Sequence, residues 1–192
     1  MGVTEGIRRH GTGAIAAVIK EYEQLRDLDT LMPLNPNVLS YLQKKESLNL
    51  ITIIKKKRCG KIKARVCANG RKQRHYIKKE DVASPTVQLE SLIATMAVDA
   101  LERRDVATAD FTGAYLKTEM KDFVLVRVDG EATKIMCKVN PEYKNYISTE
   151  RGRPTLYLRL RKALYGCMQL ALLWYETFKN HLQEQGFELQ TN

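Results

Sequence analysis

The amino-acid sequence predicts an α+β chain in which strands and amphipathic helices follow one another in mixed order, and three patterns carry that expectation. Lys61, Lys63 and Arg65 alternate with Ile62, Ala64 and Val66, a period of two that describes a strand with one basic face. Leu89, Leu92, Ile93, Met96, Ala97, Ala100 and Leu101 form a continuous apolar stripe at helical spacing. From Thr155 onward Leu156, Leu158 and Leu160 alternate with Tyr157, Arg159 and Arg161, and a second helical stripe follows at Leu170, Leu173, Trp174, Phe178 and Leu182, closed by Gly186.

Taken in chain order, the apolar spacing of Ile15, Val18, Ile19, Tyr22 and Leu25 is helical. Asn35-Pro36 reads as the N-cap and first position of a second helix running to about Leu48. The β-branched stretch Leu50 to Ile54 and the alternating stretch after it form a hairpin turning at Arg58-Cys59-Gly60. Ser84-Pro85-Thr86 opens the striped helix, whose continuous apolar face predicts a core position. After Arg103-Arg104 a strand is expected, with Val106, Thr108 and Asp110 on one side and Ala107, Ala109 and Phe111 on the other. A further strand, Phe123 to Val128, ends at Asp129-Gly130. Residues 131–154, interrupted by Pro141, Gly152 and Pro154, read as a long connection with room for a short helix. Phe187-Glu188-Leu189 looks like the start of one more strand.

With 192 residues, 44% hydrophobic and 28% charged, the chain has the balance of one globular domain or a large piece of one, which excludes collagen-like, mucin-like and wholly disordered classes. Four scattered cysteines, with no Cys-x-x-Cys or His-rich spacing, give neither a disulfide framework nor a zinc site and read as reduced, intracellular thiols. The apolar stretch Ala14 to Ile19 is too short for a signal-peptide core, Gly6 stands where a myristoylation signal wants Ser or Thr, and no run is long enough for a membrane span. The expectation is a protein of the cell interior, cytoplasm or nucleus, with no membrane partner.

The net charge of +10 is a local feature: residues 55–79 hold twelve of the 32 Lys and Arg and no acid. A hairpin with this charge at its tip is built to meet a phosphate chain. A solvated basic surface or a localisation signal is the alternative for any such run.

Asp110 is the candidate for chemistry, because a carboxylate in an otherwise apolar, β-branched strand is costly to bury without a cation. Thr112-Gly113-Ala114 after it is a small-residue turn whose N–H groups can face an anion, followed by the flat ring of Tyr115. That order suits a metal-bound nucleoside triphosphate; an Asp near a strand end is also a common turn former or helix cap. Gly11-x-Gly13-x-x-Ala16 fits a dinucleotide fingerprint formally, but Ile7 to His10 is no strand. His10, His75 and His181 lie in unrelated contexts, and Trp174 and Tyr175 read as core.

Four motifs in register, spanning about residues 50–190, resemble the reverse transcriptase of Ty1/copia-type retrotransposons. They are Lys63-Ala64-Arg65-Val66 with Asn69-Gly70 and Gln73; Ser84-Pro85-Thr86-Val87; Asp110 to Leu116, reading DFTGAYL; and Lys162 to Gly166, reading KALYG, with Gln169, Trp174 and Tyr175. The resemblance implies a right-hand polymerase fold, with residues 1–49 as a helical lead-in and 50–192 as fingers and a partial palm on an antiparallel sheet with packed helices. It implies template-directed DNA synthesis, in which three carboxylates hold two Mg²⁺ ions that activate the primer 3′-hydroxyl and stabilise the leaving pyrophosphate. Asp110 matches the first carboxylate, and the Phe111 carbonyl would also reach a metal. Lys63 and Arg65 match the clamp on the triphosphate, Gly113 and Ala114 offer it N–H groups, and Tyr115 lies under the sugar and disfavours a 2′-hydroxyl. Tyr165 and Gly166 match the segment lining the nascent base pair and template. The implied partners are an RNA template paired to a DNA primer and a deoxynucleoside triphosphate; the oligomeric state is left open.

The sequence departs from the family pattern in two respects. It holds no adjacent Asp-Asp pair, the source of the other two carboxylates, and Met168, Leu170 and Ala171 stand where the family commonly has a lysine followed by Ala-Pro. The expectation is therefore a fragment that binds Mg²⁺ weakly and does not polymerise in isolation. A non-catalytic nucleic-acid-binding module, or a retrotransposon remnant, is the alternative.

Overall fold

The computed structural model describes residues 1–78 and 80–188. The described strands are β1 (Leu31–Leu34), β2 (Leu48–Lys56), β3 (Ile62–Ala68), β4 (Leu125–Asp129), β5 (Ser148–Glu150) and β6 (Arg153–Leu160). They join in the order β1-β6-β4-β2-β3, with β5 folded back on β6. The sheet is mixed, not purely antiparallel as expected: β2 and β4 run parallel through Leu48↔Val126 and Asn49↔Arg127. The chain reaches β4 from β3 by a long excursion, not a hairpin, and such a crossover leaves a parallel neighbour possible. Beyond that short ladder β2 turns to β3, pairing from Leu50↔Ala68 to Lys56↔Ile62.

The hairpin forms where the alternation placed it. Gly60 takes φ 82, a left-handed conformation suited to glycine, and the Lys57 N–H donates to Lys61 O at 2.8 Å. Leu50, Thr52, Ile54, Ala64, Val66 and Ala68 face the core, while Ile51, Ile53, Lys55, Lys63 and Arg65 face out.

Helix α1 (Val3–Asp27) lies across the inner face of this hairpin and buries Ala14, Val18, Tyr22 and Leu25. It starts well before Ile15, because its first turns are seated by Val3 and by the absence of a side chain at Gly6, where a Cβ would collide with Ile54. Gly11 (φ 54, ψ −132) kinks it, so the glycines that mimic a dinucleotide fingerprint are part of a helix. The Tyr22 hydroxyl shares a buried hydrogen bond of 2.9 Å with Thr52 Oγ1, and burial pushes its phenol up to about 12.

Asn35 caps as expected, its Oδ1 accepting the Asn37 N–H, but it opens only a single 3-10 turn, Pro36–Val38. Helix α2 (Tyr41–Glu46) begins behind a capping box formed by Ser40 and Gln43. Strand β1 just before them was not anticipated; Pro33 is tolerated there because β1 is an edge. Helix α4 (Glu131–Val139) is the short helix of the 131–154 connection, and α5 (Leu170–Glu184) ends at Gly186, φ 89. The fully buried Leu156, Leu158 and Leu160 of β6, with Val126, Val128 and Leu164, fill the centre.

Three further expectations are corrected. Helix α3 (Leu89–Leu101) forms, three residues beyond Thr86, but it is no core element: Ile93 is 57% and Leu101 84% exposed. Residues 105–111 form no strand and are exposed throughout, Asp110 included. A stripe or an alternation becomes core only when a facing surface covers it, and a strand exists only when a neighbour pairs with it. Among the described residues neither is present. Phe187 and Glu188 likewise form no strand, and Leu189 lies outside the described residues. No described helix is long and apolar enough to cross a membrane.

Candidate functional site

Three segments far apart in the chain converge beside the outer face of β3. The first is β3 itself, whose alternation aims Lys63 and Arg65 outward, in cross-strand register with Lys55 and Ile53. The outer face carries a groove of about 510 Å³ lined by Ile53, Lys55, Lys57, Lys63, Arg65 and Cys67. Burial pushes the Cys67 thiol up, opposed by the nearby Arg65 charge.

The second segment is the small-residue turn. Gly113 sits at φ 67, the Phe111 carbonyl accepts the Ala114 N–H at 3.2 Å, and a 3-10 turn over Ala114–Lys117 follows. Leu116 is buried as an anchor, leaving Tyr115 half-buried at the surface.

The third segment is the turn Leu164 to Met168. The Ala163 N–H donates to Thr118 O at 2.8 Å, tying it to the second segment, and the Ala68 N–H donates to Tyr165 O at 2.6 Å, tying it to β3. Backbone meets backbone here: a Cβ on Gly166 (φ +89) would collide with the Ala68 carbonyl, and one on Gly70 with the Gly166 carbonyl. Gln73, with no exposed surface, accepts the Met168 N–H through Oε1 at 3.0 Å.

The result is a ladder of side chains. The Arg65 guanidinium lies 5.6 Å from the Tyr165 ring centroid, within cation–π range. The Tyr165 ring meets the Tyr115 ring edge-on, centroids 5.3 Å apart at 90°.

Helix α1 closes the back of the arrangement. Glu21 Oε1 accepts the Val66 N–H at 3.3 Å, occupying a donor on the outer edge of β3. Burial raises its carboxyl pKa, opposed by that hydrogen bond and by the charges of Lys63 and Arg65. Gln24, one turn on, holds its Nε2 3.4 Å from where a Cβ on Gly113 would stand. A smaller hollow of about 250 Å³ between α1 and β3 is lined by Lys20, Glu21, Gln24, Lys57, Lys61 and Lys63.

Arg65, Tyr115 and Tyr165 are thus brought into contact, with Gly113 and Gly166 supplying the tight backbone that permits it. Lys63 shares the outward face of β3, and the Ala114 N–H is already committed to the turn. Asp110 takes part in none of these contacts. Its carboxylate is exposed to water, so the burial cost that first singled it out does not arise. Its neighbour Phe111 is fixed, with its ring 5.8 Å from Trp174 and 5.1 Å from Phe178 on α5. Among the described residues no group of three His, Cys, Asp or Glu side chains could hold a metal. Sequence patterns single out neither Glu21 nor Gln24, and they place Gln73 only in the family motif with Asn69-Gly70, without a role. A larger hollow of about 570 Å³, lined by Thr4, Asn49, Arg127, Glu131, Lys134 and Arg153 among others, shares none of the candidate residues.

A sequence model of the family described as reverse transcriptase (RNA-dependent DNA polymerase) matches residues 43–192. The chain is 26% identical over 171 residues to the truncated transposon Ty1-A Gag-Pol polyprotein of Saccharomyces cerevisiae, covering 89% of this chain and 13% of that polyprotein. It is likewise 26% identical over 171 residues to the transposon Ty1-DR4 Gag-Pol polyprotein of the same yeast, covering 89% of this chain and 10% of that one. The chain therefore spans about a tenth of the length of these relatives. No solved structure matches it.

Proposed function

Because the chain belongs to the reverse transcriptase (RNA-dependent DNA polymerase) family, we propose that the Arg65–Tyr165–Tyr115 ladder is its nucleotide-binding site, of Ty1/copia type. The reading takes residues 50–192 as fingers and part of a palm and residues 1–49 as a lead-in. Its support is that three motifs from separate parts of the chain meet at Tyr165. Arg65, with Lys63, takes the triphosphate; its planar guanidinium holds phosphate oxygens in pairs while its face rests on an aromatic ring. Tyr115 lies under the sugar, Gly113 lets the backbone approach the phosphates, and Tyr165 with Gly166 lines the base pair formed with the template. The basic hairpin supplies the charge that draws an RNA template–DNA primer duplex to the site. The free thiols support a setting inside the cell, in cytoplasm or nucleus.

A single exposed carboxylate at Asp110, with the Phe111 carbonyl beside it, does not form a closed metal cage. It fits Mg²⁺ carried by the nucleotide, an ion commonly held by one or two carboxylates and substrate phosphates. When bound, Mg²⁺ supplies positive charge to the triphosphate. The chain's own part is to bind and orient the nucleotide. The exposed Asp110, with no carboxylate cluster around it among the described residues, favours a second reading in which the chain binds nucleic acid without catalysis.

Equilibrium binding of a dNTP to the chain loaded with primer–template and Mg²⁺ tests the proposal. Arg65→Ala and Asp110→Ala should each weaken dNTP binding at least tenfold while duplex binding persists. Wild-type affinity in both variants overturns the nucleotide-site reading in favour of the binding module.

A further inference from the structure

We infer that Gln73 is a positioning residue for sugar selectivity, acting by holding the turn that carries Tyr165; the inference rests on the nucleotide-site reading above. Gln73 lies in the segment Arg71-Lys72-Gln73-Arg74-His75, whose Arg71, Arg74 and His75 are exposed, yet it has no exposed surface itself. Burying an amide in a basic surface turn is costly unless it meets a specific partner. For the carbonyl oxygen that partner is the Met168 N–H, 95 residues away, which donates to Gln73 Oε1 at 3.0 Å.

The approach is made possible by Gly70 and Gly166, whose backbones touch with no room for a Cβ on either. The turn is consequently pinned at both ends, at Tyr165 by the Ala68 N–H and at Met168 by Gln73. Between those pins the Tyr165 ring supports Tyr115 edge-on and carries Arg65. Gln73 touches none of the proposed substrate contacts. Its effect reaches the sugar through Tyr165 and then Tyr115; any loss of the Tyr165 support under Arg65 falls equally on dATP and ATP, which carry the same triphosphate, and cancels in their ratio.

A merely structural Gln73 affects every nucleotide alike, while a positioning Gln73 affects the ratio between sugars. The test is competitive titration of the primer–template-loaded chain with dATP and with ATP, opposite a template thymine or uracil, in Mg²⁺. Gln73→Met, of similar length but without an acceptor, should cut the dATP-over-ATP preference about fivefold, the worth of roughly one net hydrogen bond. Parallel loss of both ligands or an unchanged ratio overturns the positioning role alone. A wild-type chain that binds neither nucleotide overturns the site reading, and with it the role of Gln73. Hydrogen exchange in the wild-type chain covers the case of a variant that does not fold: the Met168 amide should be strongly protected, and exchange at open-loop rates overturns the pinning.

Discussion

Replacing Gly166 by alanine isolates the contact on which the arrangement around Tyr165 depends. Two costs arise together. The first is conformational: alanine at φ +89 pays about 1 kcal/mol relative to glycine. The second is steric, because the new Cβ would be driven into the Ala68 carbonyl, and relieving that clash pulls Tyr165 O from the Ala68 N–H, a 2.6 Å bond worth about 1 kcal/mol net. Backbone displacement at the Gly70 contact adds about 1 kcal/mol more. The total is about 3 kcal/mol. Gly60→Ala is the control, since Gly60 has a similar φ of +82 with open space around it, and it should cost only the first term of about 1 kcal/mol. In urea denaturation of the two variants, with a slope of about 2 kcal/mol per M, the midpoints should differ by about 1 M. Equal midpoints would mean that the turn is not packed against β3, and the reasoning that places Tyr165 beside Arg65 would fall with it.

Three further outcomes follow from individual contacts. The folded pKa of Glu21 is raised above its ordinary 4.5, so its contribution to stability is fully present below that value and is lost as pH rises through the folded pKa. Glu21→Gln should therefore be at least as stable as wild type at pH 7, and the advantage should shrink toward pH 4 in a series of thermal melts; a clear loss at pH 7 contradicts the sign. Tyr22→Phe removes the buried bond to Thr52 and should cost about 1–2 kcal/mol, part of which Thr52→Val in the same chain should recover by removing the stranded hydroxyl. Lys55→Gln with Lys57→Gln should lower the slope of log affinity for duplex against log salt by about 1–2 units, measured by fluorescence anisotropy, if the hairpin face neutralises phosphates.

The parts of the fold legible in the sequence are those in which one residue's neighbours decide its environment. The 61–66 alternation gave β3 because its inner face packs on α1, which shows the same buried spacing at Ala14, Val18 and Tyr22. Gly60 and Gly186 marked ends that needed a positive φ, and both have one. The failures share a different cause. Leu89 to Leu101 has the stripe of a core helix and Val106 to Phe111 the alternation of a buried strand, but burial belongs to a pair of surfaces and the pattern describes only one of them. The short parallel ladder of β2 and β4 depends on a pairing between segments more than seventy residues apart, which local periodicity does not encode. Within the candidate site, the residue pattern drew out Lys63, Arg65 and Tyr115, the family resemblance added Tyr165 and Gly166 and placed Gln73 in a motif without a role, and Glu21 stayed hidden because its importance lies in whose backbone N–H it accepts.

Photo-crosslinking an azido-dATP to the primer–template-loaded chain, followed by peptide mapping, locates the bound nucleotide without depending on turnover. Label should fall on peptides carrying Arg65, Tyr115 or Tyr165 and be displaced by unlabelled dATP. Label that concentrates instead at the hollow lined by Arg127, Lys134 and Arg153 would show that the nucleotide binds elsewhere and that the ladder beside β3 is only a packing contact.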